Sequence, residues 1–201
     1  MTGNVTEKPR MSLNRRKAVG LAYFLAFMAC IPLANWMIGH IGTSCAPNGP
    51  CVVPVFPWSL QGGPLLAPSG VSMIGIALVL RDLVQRRLGR VAALMAIVAG
   101  AALSGAIAPP HLVVASTAAF LLSELADFVV FTPLQKRGLV LAVLASSVVG
   151  LVADSLLFLY LAFGSLEFLE GQIVGKTWMV LLALPFVHWI RKREGVGAVA
   201  N

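Results

Sequence analysis

Read for apolar periodicity, the chain resolves into six hydrophobic runs separated by short polar, basic or Gly/Pro-rich breaks. The runs cover Ala18–Ile38, Ser69–Val84, Val91–Ala108, the apolar part of His111–Arg137, Leu139–Phe163 and Gln172–Ile190. Most are close to the ~20 apolar residues that a helix needs to cross a bilayer. None alternates with a period of two, which speaks against a membrane barrel. The pattern predicts an all-α integral membrane protein, a six-transmembrane-helix bundle. Residues 1–17 form a cytoplasmic N-terminal tail, 18–190 the membrane domain and 191–201 a cytoplasmic C-terminal tail. The break at 39–68 is the long one. It is rich in Gly and Pro, contains no Lys, Arg, Asp or Glu, and holds Cys45 and Cys51. An irregular loop of that length needs a function or a staple. On an oxidising side of the membrane Cys45 and Cys51 would form a disulfide; the alternative is two free thiols. Phe56 and Trp58 read as interfacial anchors.

Composition sharpens the class. Of 201 residues, 58% are hydrophobic and 11% charged, against about 25% charged in a soluble domain. The formal charge of +7 invites a nucleic-acid reading, but the basic residues lie in short clusters between apolar runs, where membrane topology places them. Threading six spans puts the tail residues Lys8, Arg10, Arg15, Arg16 and Lys17, the turns at 85–90 and 135–138, and Arg191–Arg193 on one side. Of the 15 Lys and Arg residues, Lys176 alone falls elsewhere, counting Arg81, at the end of its run, with the same side. Positive residues stay inside, so both termini are expected in the cytoplasm and the cysteine loop outside.

Polar groups inside the runs carry the functional argument. Glu124 and Asp127 lie three apart within the fourth run and share one helix face. An ionised carboxylate facing lipid costs about 2.5–3.5 kcal/mol or more. Asp82, Asp154 and Lys176 occupy the second, fifth and sixth runs, Arg81 adjoins Asp82, and Asn35 adds an amide in the first. Groups this costly, spread over five runs, point to a shared wet pocket. The competing reading for each is a structural ion pair that locks helices together. Lys176, near one end of its run, could also snorkel outward. Phe158, Tyr160 and Trp178 are candidates to stack on a flat ligand, or are ordinary packing residues. Signatures of hydrolases, zinc proteases and nucleotide-binding loops are missing, and His40, His111 and His188 have no metal-ligand spacing. No enzyme, cofactor or metal is expected.

The order of these residues resembles the VUT or YhhQ family of bacterial inner-membrane queuosine precursor transporters. The resemblance is carried by Ala34-Asn35-Trp36, Leu80 to Val84 with Leu88-Gly89, and Ala115 to Phe120 with Glu124 and Asp127. It continues through Ala145-Ser146-Ser147, Gly150, Asp154-Ser155, Phe158, Ala162-Phe163, Gln172 and Lys176. It implies a homodimeric carrier for 7-cyano-7-deazaguanine or a related 7-deazapurine. The family is also similar to the membrane substrate-binding subunits of energy-coupling-factor vitamin importers, the alternative role. A deazaguanine edge offers a ring N–H beside an exocyclic amine, which one carboxylate accepts as a pair. Substrate contacts are therefore expected from Asn35, Glu124, Asp127, Asp154, Gln172 and Lys176, with Arg81 and Asp82 in gating or helix pairing. An intramembrane enzyme acting on lipid is a third reading, disfavoured by the missing motifs.

Overall fold

The computed structural model describes residues 13–45, 50–57 and 62–194. Trp58, residues 1–12 of the N-terminal tail and residues 195–201 of the C-terminal tail lie outside the described residues. Six α-helices carry the fold: α1 (Leu13–His40), α2 (Val71–Leu88), α3 (Arg90–Ile107), α4 (Val113–Leu134), α5 (Leu139–Phe163) and α6 (Leu169–Glu194). A 3₁₀ turn, Pro110–Leu112, leads into α4. Five helical segments, α1, the turn with α4, α3, α5 and α6, are long and apolar enough to cross a membrane. This is a multi-pass membrane protein.

The second apolar run departs from the expected span. It was expected to end near Val84 in a basic turn, yet α2 continues to Leu88 and only Gly89 turns the chain. Gly89 sits at φ +92°, a left-handed conformation that costs glycine little. Arg81, Asp82, Arg86 and Arg87 are too many charges for α2 to qualify by composition as a lone span. It is instead wrapped by the other helices: Arg81, Asp82, Leu83, Val84 and Gln85 are all buried. Arg16 of α1 donates to the Arg86 carbonyl (3.3 Å), near a helix end where carbonyls lack intrahelical partners and a cation is favourable.

Two apolar clusters flank this central helix. Val79 and Leu83 of α2 pack with Phe131, Leu139, Val143, Val187 and Ile190. Ala77 and Val84 pack with Phe27, Ile31, Ala96 and Phe120. Close packing rather than water exclusion drives such contacts between helices in lipid. Small residues let the backbones approach: a Cβ on Gly75 of α2 would fall 2.9 Å from the Lys176 carbonyl oxygen of α6. The opposite faces remain apolar and exposed, with Val91, Val98, Val114, Val129 and Leu182 pointing outward. That is the surface lipid covers.

The charge-free loop is not irregular. It folds as a three-stranded antiparallel sheet of β1 (Ser44–Cys45), β2 (Cys51–Phe56) and β3 (Leu65–Pro68), in the order β1-β2-β3. The all-α expectation is corrected to a helical bundle carrying a small sheet at one end. The β-branched and aromatic residues of Cys51–Phe56 favour extended backbone, and the pairing slips between Pro54 and Phe56. Cys45 and Cys51 face each other across β1 and β2 and are joined by a disulfide. The sheet is anchored from both sides. Ser69 donates to the Met37 carbonyl of α1 at 2.6 Å. Leu66 of β3 lies so close to α6 that a Cβ on Gly171 would sit 1.8 Å from its carbonyl oxygen.

Candidate functional site

The intramembrane polar residues come together in two adjoining groups rather than one. The first is centred on Arg81, whose side chain is completely buried. Its Nε donates to Glu124 Oε2 (2.9 Å), its Nη1 to Gln85 Oε1 (3.3 Å), and its Nη2 to Asp127. Asp82 Oδ1 lies 3.0 Å from Nη1. Ser146 of α5 donates to Asp82 Oδ2 (3.1 Å). One guanidinium thus ties α2 to α4, and Asp82 ties α2 to α5. Phe131 presents its ring to the guanidinium, 5.9 Å from the centroid. Arginine suits this position because its planar fork offers five donors in fixed directions.

The second group is centred on Lys176 of α6, also buried. Its Nζ donates to Asp154 Oδ2 (2.6 Å), Ser155 Oγ (2.8 Å) and Gln172 Oε1 (2.6 Å). All three of its donors are used, so it does not snorkel; it joins α6 to α5. Ser123, which precedes Glu124 on α4, donates to the Phe120 carbonyl (3.1 Å) and lies 3.5 Å from Asp154 Oδ1, so the two groups adjoin along α4.

The second group borders open space. A narrow cavity of about 60 Å³ is lined by Asn35, Ser104, Ser116, Phe120, Asp154, Phe158, Gln172 and Lys176, with apolar neighbours from α1 and α2. It adjoins a wider vestibule of about 430 Å³, with Asn35, Ile38, Ser116 and Phe158 bordering both. The vestibule is also lined by Pro50 beside the disulfide and by Pro109 and His111 at the α3–α4 break. The path to Asp154 therefore runs from the end of the bundle that bears the sheet.

The expected site residues divide accordingly. Asn35, Asp154, Gln172 and Lys176 line the cavity, and Phe158 forms a wall. Asn35 uses one amide hydrogen on the Ile31 carbonyl (3.0 Å), which leaves its oxygen uncommitted by that bond. Glu124 and Asp127 do not line the cavity; they are held by Arg81 behind it. Trp178 does not face the cavity either. It is half-exposed and borders a separate groove with Met37, Val53, Val55 and Met179. Two residues along a helix from Lys176 is about 200° of rotation, which turns Trp178 to the far side. Tyr160 points outward and is largely exposed.

Ser116 and Phe120 belong to the lining without having been singled out as site residues. Their signal was in the sequence: Ser116, Phe120, Glu124 and Asp127 follow at four, four and three residues, one stripe of α4. Phe120 is braced by Phe27, ring centroids 5.9 Å apart.

No curated protein and no solved structure matches the chain. Residues 107–190, from the last residue of α3 into α6, match a family model described as "putative vitamin uptake transporter". That stretch supplies Ser116, Phe120, Glu124, Asp127, Asp154, Phe158, Gln172 and Lys176, whereas Asn35, Arg81 and Asp82 come from outside it. The match agrees with the resemblance carried by the intramembrane polar residues: over residues 107–190 the chain is similar to this family of uptake transporters.

Proposed function

We propose that the protein imports a 7-deazapurine queuosine precursor, 7-cyano-7-deazaguanine or a close relative, across a bacterial inner membrane by alternating access. In this reading all six helices span the membrane, both termini are cytoplasmic, and the sheet lies outside. The chain divides as a cytoplasmic tail to residue 17, a membrane domain over 18–190 and a cytoplasmic tail from 191. The carrier works as a homodimer.

The observation that carries the reading is the cavity wall. Asp154 presents a carboxylate whose Oδ1 makes only the long contact with Ser123, so it can accept the paired N–H donors of a guanine-like edge. Gln172 spends its amide oxygen on Lys176, which leaves its amide nitrogen to donate to an exocyclic oxygen. Phe158 of α5 and Phe120 of α4 both line the cavity and offer ring surface suited to a planar heterocycle. The vestibule falls within the ~300–1,000 Å³ usual for small-molecule sites, and the narrower inner cavity closes around the recognised edge. Glu124 and Asp127 act behind this surface, holding α4 on Arg81.

The test is thermal stabilisation of the purified protein across a panel of purines and deazapurines. A matching ligand at about 100 times its dissociation constant should add roughly 2.7 kcal/mol. Asp154→Asn should abolish that response, and uptake with it, while the protein still accumulates in the membrane. Stabilisation of the variant equal to wild type would remove Asp154 from the site. An energy-coupling-factor capture subunit is the second reading, favoured by the vitamin-uptake description of the matching family. It predicts copurification with a transmembrane partner and ATPases, and no transport by the isolated chain.

A further inference from the structure

The Arg81 group does not balance. Arg81 brings one positive charge; Asp82, Glu124 and Asp127 bring three carboxylates, all buried. The neighbouring Lys176–Asp154 pair is neutral in sum and offers no compensation. The group draws on Arg81, Asp82 and Gln85 from α2, Glu124 and Asp127 from α4, and Ser146 from α5; Asp154 of α5 lies beyond Ser123, paired with Lys176 of α6. With all carboxyls ionised, two uncompensated negative charges would sit where each costs several kcal/mol.

The hydrogen-bond geometry shows where the imbalance lies. Asp127 Oδ1 faces Arg81, yet Asp127 Oδ2 is buried with no donor. It is packed towards Gly150 of α5, where an added Cβ would lie 3.1 Å from it. Asp82 Oδ1 is also buried, with its ion pair to Arg81 Nη1 (3.0 Å) but no hydrogen bond. Both carboxyls are held on one guanidinium, Asp82 at Nη1 (3.0 Å) and Asp127 at Nη2, which makes them neighbours. Two carboxylates are acceptors only and repel, whereas a carboxylic acid beside a carboxylate makes a strong O–H···O⁻ bond.

We propose that Asp82 and Asp127 share one proton, and that this proton is the coupling ion carried inward with each cargo molecule. The inference rests on the carrier reading above. It adds the driving force, in a chain whose sequence shows no nucleotide-binding loop. The proton binds from the cavity side, by way of the carboxyls of Asp154 and Glu124 that flank Ser123. It leaves to cytoplasmic water when the bundle opens at the other end. The one bond formed on uptake and broken on release is the carboxyl O–H, and the pair returns to two carboxylates shared with Arg81. Because Ser123 and Glu124 are consecutive on α4, a cargo molecule that draws on Asp154 also shifts the helix carrying Asp127.

The test uses purified full-length protein in liposomes with radiolabelled 7-cyano-7-deazaguanine and the membrane potential clamped at zero. One proton per cargo predicts about tenfold accumulation for each unit of inward pH gradient. A pH dye trapped inside should report acidification that starts on adding cargo. Asp127→Asn and Asp82→Asn should each reduce accumulation to equality across the membrane while exchange of labelled for unlabelled cargo stays measurable. Infrared difference spectra of the wild type should show a protonated-carboxyl band that both variants lose. Uptake that ignores the gradient, with no dye response, would overturn the proton proposal and leave the carrier reading standing. No uptake or exchange under any gradient would overturn the substrate reading. Absence of the infrared band would overturn the shared proton whatever the transport result.

Discussion

Replacing Arg81 by lysine tests the central cluster without changing its charge. The guanidinium reaches Glu124 at 2.9 Å through Nε, Asp82 at 3.0 Å and Gln85 at 3.3 Å through Nη1, and Asp127 through Nη2. These acceptors surround a plane and belong to two helices. A lysine ammonium radiates three donors from one point and cannot occupy that fork. Two of the contacts to carboxylates should be lost, at about 1.5–3 kcal/mol each for hydrogen bonds to charged groups. The sum, about 3–6 kcal/mol, corresponds to roughly 6–24 °C in melting temperature, on a scale of ~2–4 °C per kcal/mol for a domain of this size. Size-exclusion profiles of detergent-solubilised, fluorescently tagged protein after heating would measure it. If Arg81→Lys melts within about 2 °C of the wild type, charge alone holds the cluster. The argument that the geometry of the fork ties α2 to α4 then fails.

Three further outcomes follow from the same coordinates. Phe158→Ala should weaken cargo binding about fivefold, by loss of ring contact worth about 1 kcal/mol, with little change in the unliganded melting point; an unchanged affinity in a binding titration would take Phe158 off the cavity wall. Gly171→Ala places a methyl 1.8 Å from the Leu66 carbonyl oxygen and must push the sheet off α6, destabilising by about 1–3 kcal/mol; a melting curve that overlays the wild type would show that the contact yields freely. Cys45→Ser opens the link between β1 and β2, a loop closed over a sequence separation of 6, with a cost of about 2 kcal/mol. Limited proteolysis at the sheet should then accelerate while the helices stay protected, and identical digestion of the two proteins would contradict it.

The helical part of the fold was largely legible because length and apolarity alone decide a membrane span. The fifth run, Leu139–Phe163, coincides with α5. The failures have specific causes. Gln85 to Leu88 looked like a turn because charge near the end of an apolar run usually marks the interface. Here Gln85 and Arg86 are buried, and the helix persists to the first residue able to turn left-handed, Gly89. The sheet was missed because its strands are short, of two, six and four residues, and Pro54 interrupts the one with a β-rich composition. Which polar residues would matter was visible from their cost in lipid. How they would partition was not: Glu124 and Asp154 lie on different helices, and only the rotation of α4 and α5 decides that one meets Arg81 and the other Lys176.

The commitment of all three Lys176 donors to α5 and α6 has a consequence for leakage. In the proposed carrier cycle the unloaded state is stapled shut at this strut, and a passing water or ion offers nothing worth breaking it for. Cargo that pulls on the Asp154 carboxylate competes with the ammonium directly, loosening one helix from the next at the moment the cavity fills. A purely oily molecule of the same size would leave the staple untouched. Selectivity and tightness against uncoupled flow are then two effects of a single amine.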